Sequence, residues 1–367
     1  MKLKDNKMSV DLELEKLEEQ LQETDDIDKT PPSDIVSFNE LRSCADLLRM
    51  YDAGQLNIQP EFQRDVMWPN SMQTRFVDSL VKQLPIPSMC ISLDYKTQER
   101  LVIDGLQRIS SILFFLSEKE EWKLSKLEDI DSKISGKTNS YIRKKHSRLI
   151  EKVENTTIPI TVLRCDYTNK NHMAYLFTIF HRLNTGGNKL TNQEIRNCIY
   201  NGTFNQLLKD AAAYAPFRHL FSLEEDKTYR FAYEELILRF IAFSEKFESY
   251  RGSLAKFLND YMEENRHIGK EEKDAILTSF KNTVDLIYAK ICNQEALSKL
   301  SKADSEALYV GIARNYNKLN RETETQISER FDSLKSDPLF SADSLKGSLS
   351  SKDGVINRLS KSVQIFS

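Results

Sequence analysis

Met89-Cys90-Ile91-Ser92-Leu93 and Arg100-Leu101-Val102-Ile103, followed at once by Asp104-Gly105-Leu106-Gln107-Arg108, form the stretch on which the fold turns. The two apolar runs flank the polar segment from Asp94 to Glu99, the pattern of two strands joined by a turn. The period then changes. Leu106, Ile109, Ile112, Leu113 and Leu116 recur at the spacing of one helical face. A helix therefore opens at Asp104-Gly105, directly after a strand.

Working outward, Phe76, Val77, Leu80, Val81 and Leu84 give a second helical stripe, which Pro85-Ile86-Pro87 ends. Asn70 with Gln73 three residues on has capping-box spacing for that helix. Leu41, Ala45, Leu47 and Leu48 suit a short helix ending near Tyr51, and Ile158 to Leu163 a further strand. Beyond Cys165 strand signals fade. Met173, Leu176, Phe177, Phe180 and Leu183 mark one helix, and Thr191 with Glu194 is a capping box for the next, which stops near Asn201-Gly202. Further helices are expected near 204–213, 231–248, 254–265, 271–291 and 304–319, with short ones from Ser341 to Ser350 and from Asp353 to Lys361. The expected class is α+β: an α/β domain over 34–166, then an all-helical domain over 167–367.

Composition narrows the function. The chain has 367 residues, with 52 Lys and Arg against 55 Asp and Glu, a net charge of −3. A globally basic protein is excluded, so nucleic-acid binding has to use a local patch. No apolar run exceeds five residues, as in Ile112 to Leu116, whereas a bilayer span needs about 20. Met1-Lys2-Leu3-Lys4-Asp5 leads into charged residues rather than an apolar core, so a secretory signal is not expected. The five cysteines lie far apart without a CxxC pair, a reduced pattern that points to the cytoplasm. The five histidines form neither HExxH nor HxH, which argues against a zinc hydrolase or an HNH nuclease within this sequence.

Residues 1–33 read as an acidic, partly disordered arm. The first thirty carry ten acidic residues and five Lys, with Leu12, Leu14, Leu17 and Leu21 as a marginal apolar face, before Pro31-Pro32. Residues 118–156 read as a basic insertion, because Lys137, Arg143, Lys144, Lys145, Arg148 and Lys152 concentrate there. That cluster suits either a solvated helix face or contact with DNA phosphates, with Arg143, Lys144, Lys145 and Arg148 as the candidates.

Three further clusters have residues suited to chemistry. In Ile58-Gln59-Pro60-Glu61-Phe62-Gln63-Arg64, Gln63 and Arg64 set an amide beside a guanidinium that can grip phosphate. In Asp104-Gly105-Leu106-Gln107-Arg108, a helix start offers amide N–H groups and partial positive charge to an anion. Gly105 permits close backbone approach, Gln107 and Arg108 add donors, and Asp104 can hold a divalent cation or position a water. The same residues equally suit an N-cap and an ion pair. In Phe180-His181-Arg182-Leu183-Asn184-Thr185-Gly186-Gly187, consecutive glycine amides suit an anion nest or a plain helix–turn–helix link. His181, on a mainly apolar helix, reads as packed rather than catalytic.

Taken in order, these clusters resemble the N-terminal domain of GmrSD-type restriction endonucleases, in the ParB/sulfiredoxin-like superfamily. The family's I-x-P-x-F-Q-R-x-x-V-W pattern is matched by Ile58 to Trp68, with Met67 in place of the common Val. Its D-G-Q-Q-R signature is matched by Asp104 to Arg108, and its F-x-R-x-N-T-G-G element by Phe180 to Gly187. Arg239 and Phe257-Leu258 look like the family's helical half. The similarity is spread over roughly 35–265.

The resemblance implies a ParB-like domain that binds and hydrolyses an NTP with Mg²⁺, in defence against phage DNA, with DNA nicking as an accompanying activity. Carried onto this sequence, Asp104, Gln107 and Arg108 are the catalytic candidates, with Asp104 as the metal ligand. Gln63, Arg64, Gly105, Arg182, Asn184, Thr185 and Gly186 are the nucleotide-binding candidates. Arg64 and Arg108 are assigned to phosphates and Gln107 to orienting the nucleophile, on general phosphoryl-transfer logic. Leu106 departs from the family by replacing an amide with an apolar side chain; its place in the Leu106-Ile109-Leu113 stripe points it to the core. The HNH nuclease of larger members has no counterpart here. The expected partners are therefore nucleotide, DNA and a separately encoded nuclease, with self-association left open and no membrane. The alternative is a non-catalytic DNA-binding, sensor or scaffold subunit.

Overall fold

The computed structural model describes residue 17 and residues 32–58, 68–183, 190–223, 229, 231–297 and 300–367. It divides into two compact units. One is Lys29–Thr191; the other is Asn192–Ser367 together with Met1–Asp28.

The first unit runs β1 (Val36–Ser43), α1 (Cys44–Asp52), β2 (Leu56–Asn57), α2 (Asn70–Val81), β3 (Met89–Asp94), β4 (Arg100–Asp104), α3 (Leu106–Leu116), α4 (Asn139–Lys145), α5 (Ser147–Glu154), β5 (Thr157–Cys165) and α6 (Lys170–Leu183). Its five strands form one mixed sheet in the order β1-β5-β3-β4-β2. β3 is central, antiparallel to β4 and parallel to β5. It is the most thoroughly buried strand, with only Leu93 partly accessible, because it has a neighbour on each edge. α1, α2 and α3 lay their apolar stripes on one core, in which Leu47, Val77, Leu80, Ile109, Ile112 and Phe115 meet Ile91, Ile160 and Val162.

The basic insertion is part of that core. Leu124, Ile134, Ile142, Ile150 and Val153 are all buried in it, each contributing about 1.5–3 kcal/mol by leaving water. Asn139 staples the segment to the end of α3. Its buried Nδ2 donates to the carbonyls of Phe114, Ser117 and Glu120 at 3.0, 3.0 and 3.1 Å, and its Oδ1 accepts from the Trp122 N–H at 3.0 Å.

β1 is a strand where the sequence suggested only a helix starting nearby. It is an edge strand whose Val36, Phe38 and Leu41 stay exposed, so no apolar alternation marked it. α2 also starts differently from the capping-box expectation. Pro69 is the residue before its first turn and Asn70 is already helical, with its Nδ2 donating to the Lys123 carbonyl at 2.9 Å. That tertiary bond ties the helix start to the insertion, and no side chain caps the first turn.

The second unit is all helical: α7 (Asn192–Ile199), α8 (Thr203–Ala212), α9 (Ala215–Leu220), α10 (Ala232–Lys246), α11 (Leu254–Glu264), α12 (Lys270–Lys290), α13 (Lys302–Leu319), α14 (Glu324–Ser336), α15 (Ala342–Ser348) and α16 (Lys352–Phe366). α13 lies between α10, α12 and α16. Gly311 sits where α13 meets α16; a Cβ there would strike Ser362 and Phe366, so only glycine allows the approach. Leu17 packs on a small cluster of Ala303, Leu345 and Leu349.

A buried ionic network ties three of these helices. Arg196 of α7 donates to Glu235 of α10 at 2.6 Å. Arg239, one turn along α10, donates to Glu235 at 2.6 Å and to Glu306 of α13 at 3.0 Å. Burial pushes the Glu235 carboxyl up, but Arg239 and Arg196 outweigh it and hold the group at about 2. Arg239 thus serves here as a buried structural tie.

Candidate functional site

The turn that follows β4 is built from its backbone outward. Gly105 caps α3 with φ +94°, a left-handed conformation that L side chains rarely adopt. The space above it is also closed, since a Cβ at this position would lie 2.7 Å from Met89 Cγ. Glycine is required twice over, and the result is a sharp reversal from strand to helix. Gly105 itself is the N-cap, so Asp104 does not take that role.

Asp104, Gly105, Gln107 and Arg108 come together at this turn. The Asp104 side chain is 36% exposed and the Arg108 side chain 14%. Arg108 Nη2 donates to Asp104 Oδ2 at 2.8 Å, while its Nη1 donates to the carbonyls of Pro87 at 2.7 Å and Ser88 at 3.3 Å. One guanidinium therefore ties the end of β4 to the entry of β3. Gln107 Oε1 accepts from the Trp68 N–H at 2.7 Å, across 39 residues of sequence. Trp68 also packs edge-on against Phe76 of α2, ring centroids 6.0 Å apart. Gln107 thus holds the residue just after the segment that carries Gln63 and Arg64. Both of those lie outside the described residues. Leu106 packs, partly buried, against the core cluster, so the apolar replacement in this turn is accommodated on the core side.

Cys90 faces Asp104 across the β3–β4 ladder. Burial, with the Asp104 carboxylate adding, pushes its thiol up to about 12, so it is a neutral packing group.

α6 packs against β4 and carries Arg182, exposed, in its last turn. Asn184, Thr185 and Gly186 lie outside the described residues. His181 is only partly buried on α6.

The basic candidates lie on α4 and α5 and are not alike. Arg143 is engaged internally: it donates to the Leu116 carbonyl at 2.8 Å and pairs with Glu118 and Glu154 at 3.2 and 3.5 Å. Lys144, Lys145 and Arg148 are exposed and make no ion pair among the described residues. Sequence reading passed over Tyr141 on the same helix, which is 43% exposed. The signal was available: it stands four residues after Lys137 and three before Lys144.

Residues 44–201 match the family described as GmrSD restriction endonuclease, N-terminal domain. Over this stretch the chain is similar to that domain. No curated protein and no solved structure matches the chain. The matched stretch takes in every described element from α1 to α7, and with them the Asp104–Arg108 turn and the basic surface. Among the described residues no helix is long and apolar enough to cross a membrane, and no group of three or more His, Cys, Asp or Glu side chains could hold a metal ion.

Proposed function

We propose that this chain is the nucleotide-dependent module of a restriction system acting on DNA, with the turn from Asp104 to Arg108 as its phosphate site. The observation that carries the reading is the turn itself. A left-handed glycine sets a half-exposed carboxylate beside the opening of an 11-residue helix. The first amide N–H groups of any helix lack intrahelical partners and carry partial positive charge, which suits phosphate. Mg²⁺ fits on one condition. It is held by one or two carboxylates together with waters and substrate phosphates rather than by an all-protein cage. Asp104 would supply the one carboxylate for an ion bound together with a triphosphate, and such an ion would supply neutralisation of phosphate charge.

The chain's own residues then divide the work. Asp104 would be the residue to hold the ion, and Arg108 holds that carboxylate in place at 2.8 Å. Gln107 anchors the Trp68 backbone N–H. NTP hydrolysis is phosphoryl transfer to water, for which positioning and charge neutralisation supply most of the catalysis.

The test is a thermal-shift screen of each NTP with Mg²⁺ on wild type, Asp104→Ala and Arg108→Ala, paired with phosphate release. A ligand at a hundred times its Kd stabilises by about 2.7 kcal/mol. The expected result is a shift with one NTP that both variants lose. No shift with any NTP, or one retained in both variants, would falsify the site. A second reading, a sensor subunit that recruits a separately encoded nuclease, is favoured by the commitment of Arg108 and Gln107 to internal bonds and by Leu106. It expects the shift without phosphate release.

A further inference from the structure

Tyr141 stands among lysines at the start and on one face of α4. Lys137 Nζ lies 5.2 Å from the centroid of its ring. Lys144 and Lys145 follow at three and four residues, the spacings that put side chains beside Tyr141 on the surface of α4. His146 meets the ring edge-on, centroids 6.3 Å apart, and fixes its orientation. Arg148 adds a fourth cation at the start of α5. Lys137, Lys144, Lys145 and Arg148 are all exposed, and no carboxylate among the described residues neutralises them. Three of the acids nearby in sequence have other partners. Glu118 and Glu154 pair with Arg143, and Glu121 accepts from the Ser140 hydroxyl at 2.5 Å. Glu151, one turn after Arg148, is exposed and forms no ion pair. The segment is held rigidly beneath by Asn139, Ile142 and Ile150 in the core, so the ring is presented on a fixed base.

We infer that this surface binds single-stranded nucleic acid, with Tyr141 stacking on an unpaired base and the surrounding cations on backbone phosphates. The inference deepens the DNA part of the function proposed above and rests on it. The reasoning is a matter of which partner can use an exposed ring. A duplex keeps its base faces in the stack, so it gains from the cations alone. A single strand offers phosphates and π-faces together, and each stacked base adds affinity whatever its sequence. An anionic membrane would use the cations too, and its interface also suits a tyrosine ring, so vesicles form a separate arm of the test.

The experiment measures binding of the full chain to a labelled 20-nucleotide single strand, to the matching duplex and to vesicles containing phosphatidylserine, across a salt series. The single strand is expected to bind about tenfold tighter than the duplex, with no vesicle binding. Tyr141→Ala should weaken single-strand binding about tenfold with the salt slope unchanged, and Tyr141→Phe should restore it. Lys144→Gln with Lys145→Gln should weaken both nucleic acids and flatten the slope. Equal binding of duplex and single strand, with Tyr141→Ala silent, overturns this inference and leaves the DNA reading standing. Binding to vesicles alone, or to none of the three, overturns both.

Discussion

Arg108 and Asp104 form a closed pair at 2.8 Å across the junction of β4 and α3, and the same guanidinium also holds two backbone carbonyls at the entry to β3. Charge-assisted bonds of this kind contribute about 1.5–3 kcal/mol each. Arg108→Ala is therefore expected to lower folding stability by about 2–4 kcal/mol in urea unfolding. Asp104→Asn should cost less, because its amide oxygen still accepts from Arg108. On the proposed function it should nonetheless abolish the Mg²⁺ requirement for nucleotide binding, read by titration with and without the ion. Retention of Mg²⁺ dependence in Asp104→Asn removes Asp104 from the metal role.

Gly105 gives a sharper test of the turn. The left-handed backbone costs a non-glycine residue about 1–2 kcal/mol, and the Met89 side chain adds a steric term. Gly105→Ala should destabilise by more than that backbone term alone. Combining it with Met89→Ala should remove the steric coupling, so the two changes should be non-additive in a double-mutant cycle. Simple additivity would mean that Met89 is not the obstacle.

Gln107 is expected to act on Trp68 before it acts on any ligand. Gln107→Ala leaves the Trp68 N–H without its acceptor, at a cost of about 1–3 kcal/mol. The protein has two tryptophans, so a change in the emission of Trp68 can be isolated in a Trp122→Phe background. Unchanged emission and melting temperature in Gln107→Ala would show that this bond does not hold Trp68.

The Glu235 network predicts an acid limb. Its carboxyl sits at about 2 in the folded chain, below its ordinary value of 4.5. A depressed carboxylate contributes stability that is complete above the unfolded value and is lost as pH falls through the folded one. Stability should therefore decline between pH 4.5 and about 2, and Glu235→Gln should flatten that decline. At pH 7, Glu235→Ala should cost about 3–5 kcal/mol by removing the carboxylate that Arg196 and Arg239 share. A wild-type acid limb that survives in Glu235→Gln would assign it to other carboxylates.

Much of this was legible in the residues, for reasons that differ by element. β3, β4 and α3 announced themselves because burial is one-sided for a helix and nearly complete for a central strand, so period and apolar runs coincide with structure. β1 did not, because an edge strand with exposed Val36 and Phe38 has no periodicity to read. α14 escaped for the converse reason, since only Ile327, Phe331 and Leu334 of its thirteen residues are buried. At the site, the assembly of Asp104, Gly105, Gln107 and Arg108 was visible in their adjacency. Their partners were not, because Pro87, Ser88, Met89 and Trp68 reach the turn only through tertiary folding.

Leu17 packs against Ala303, Leu345 and Leu349, residues that lie far along the same chain. A ribosome adds about 5–20 residues per second, so Leu17 is made many seconds before the side chains that receive it. Closure of that cluster therefore waits for Leu349, and protection of Leu17 reports that the segments carrying its three partners have folded.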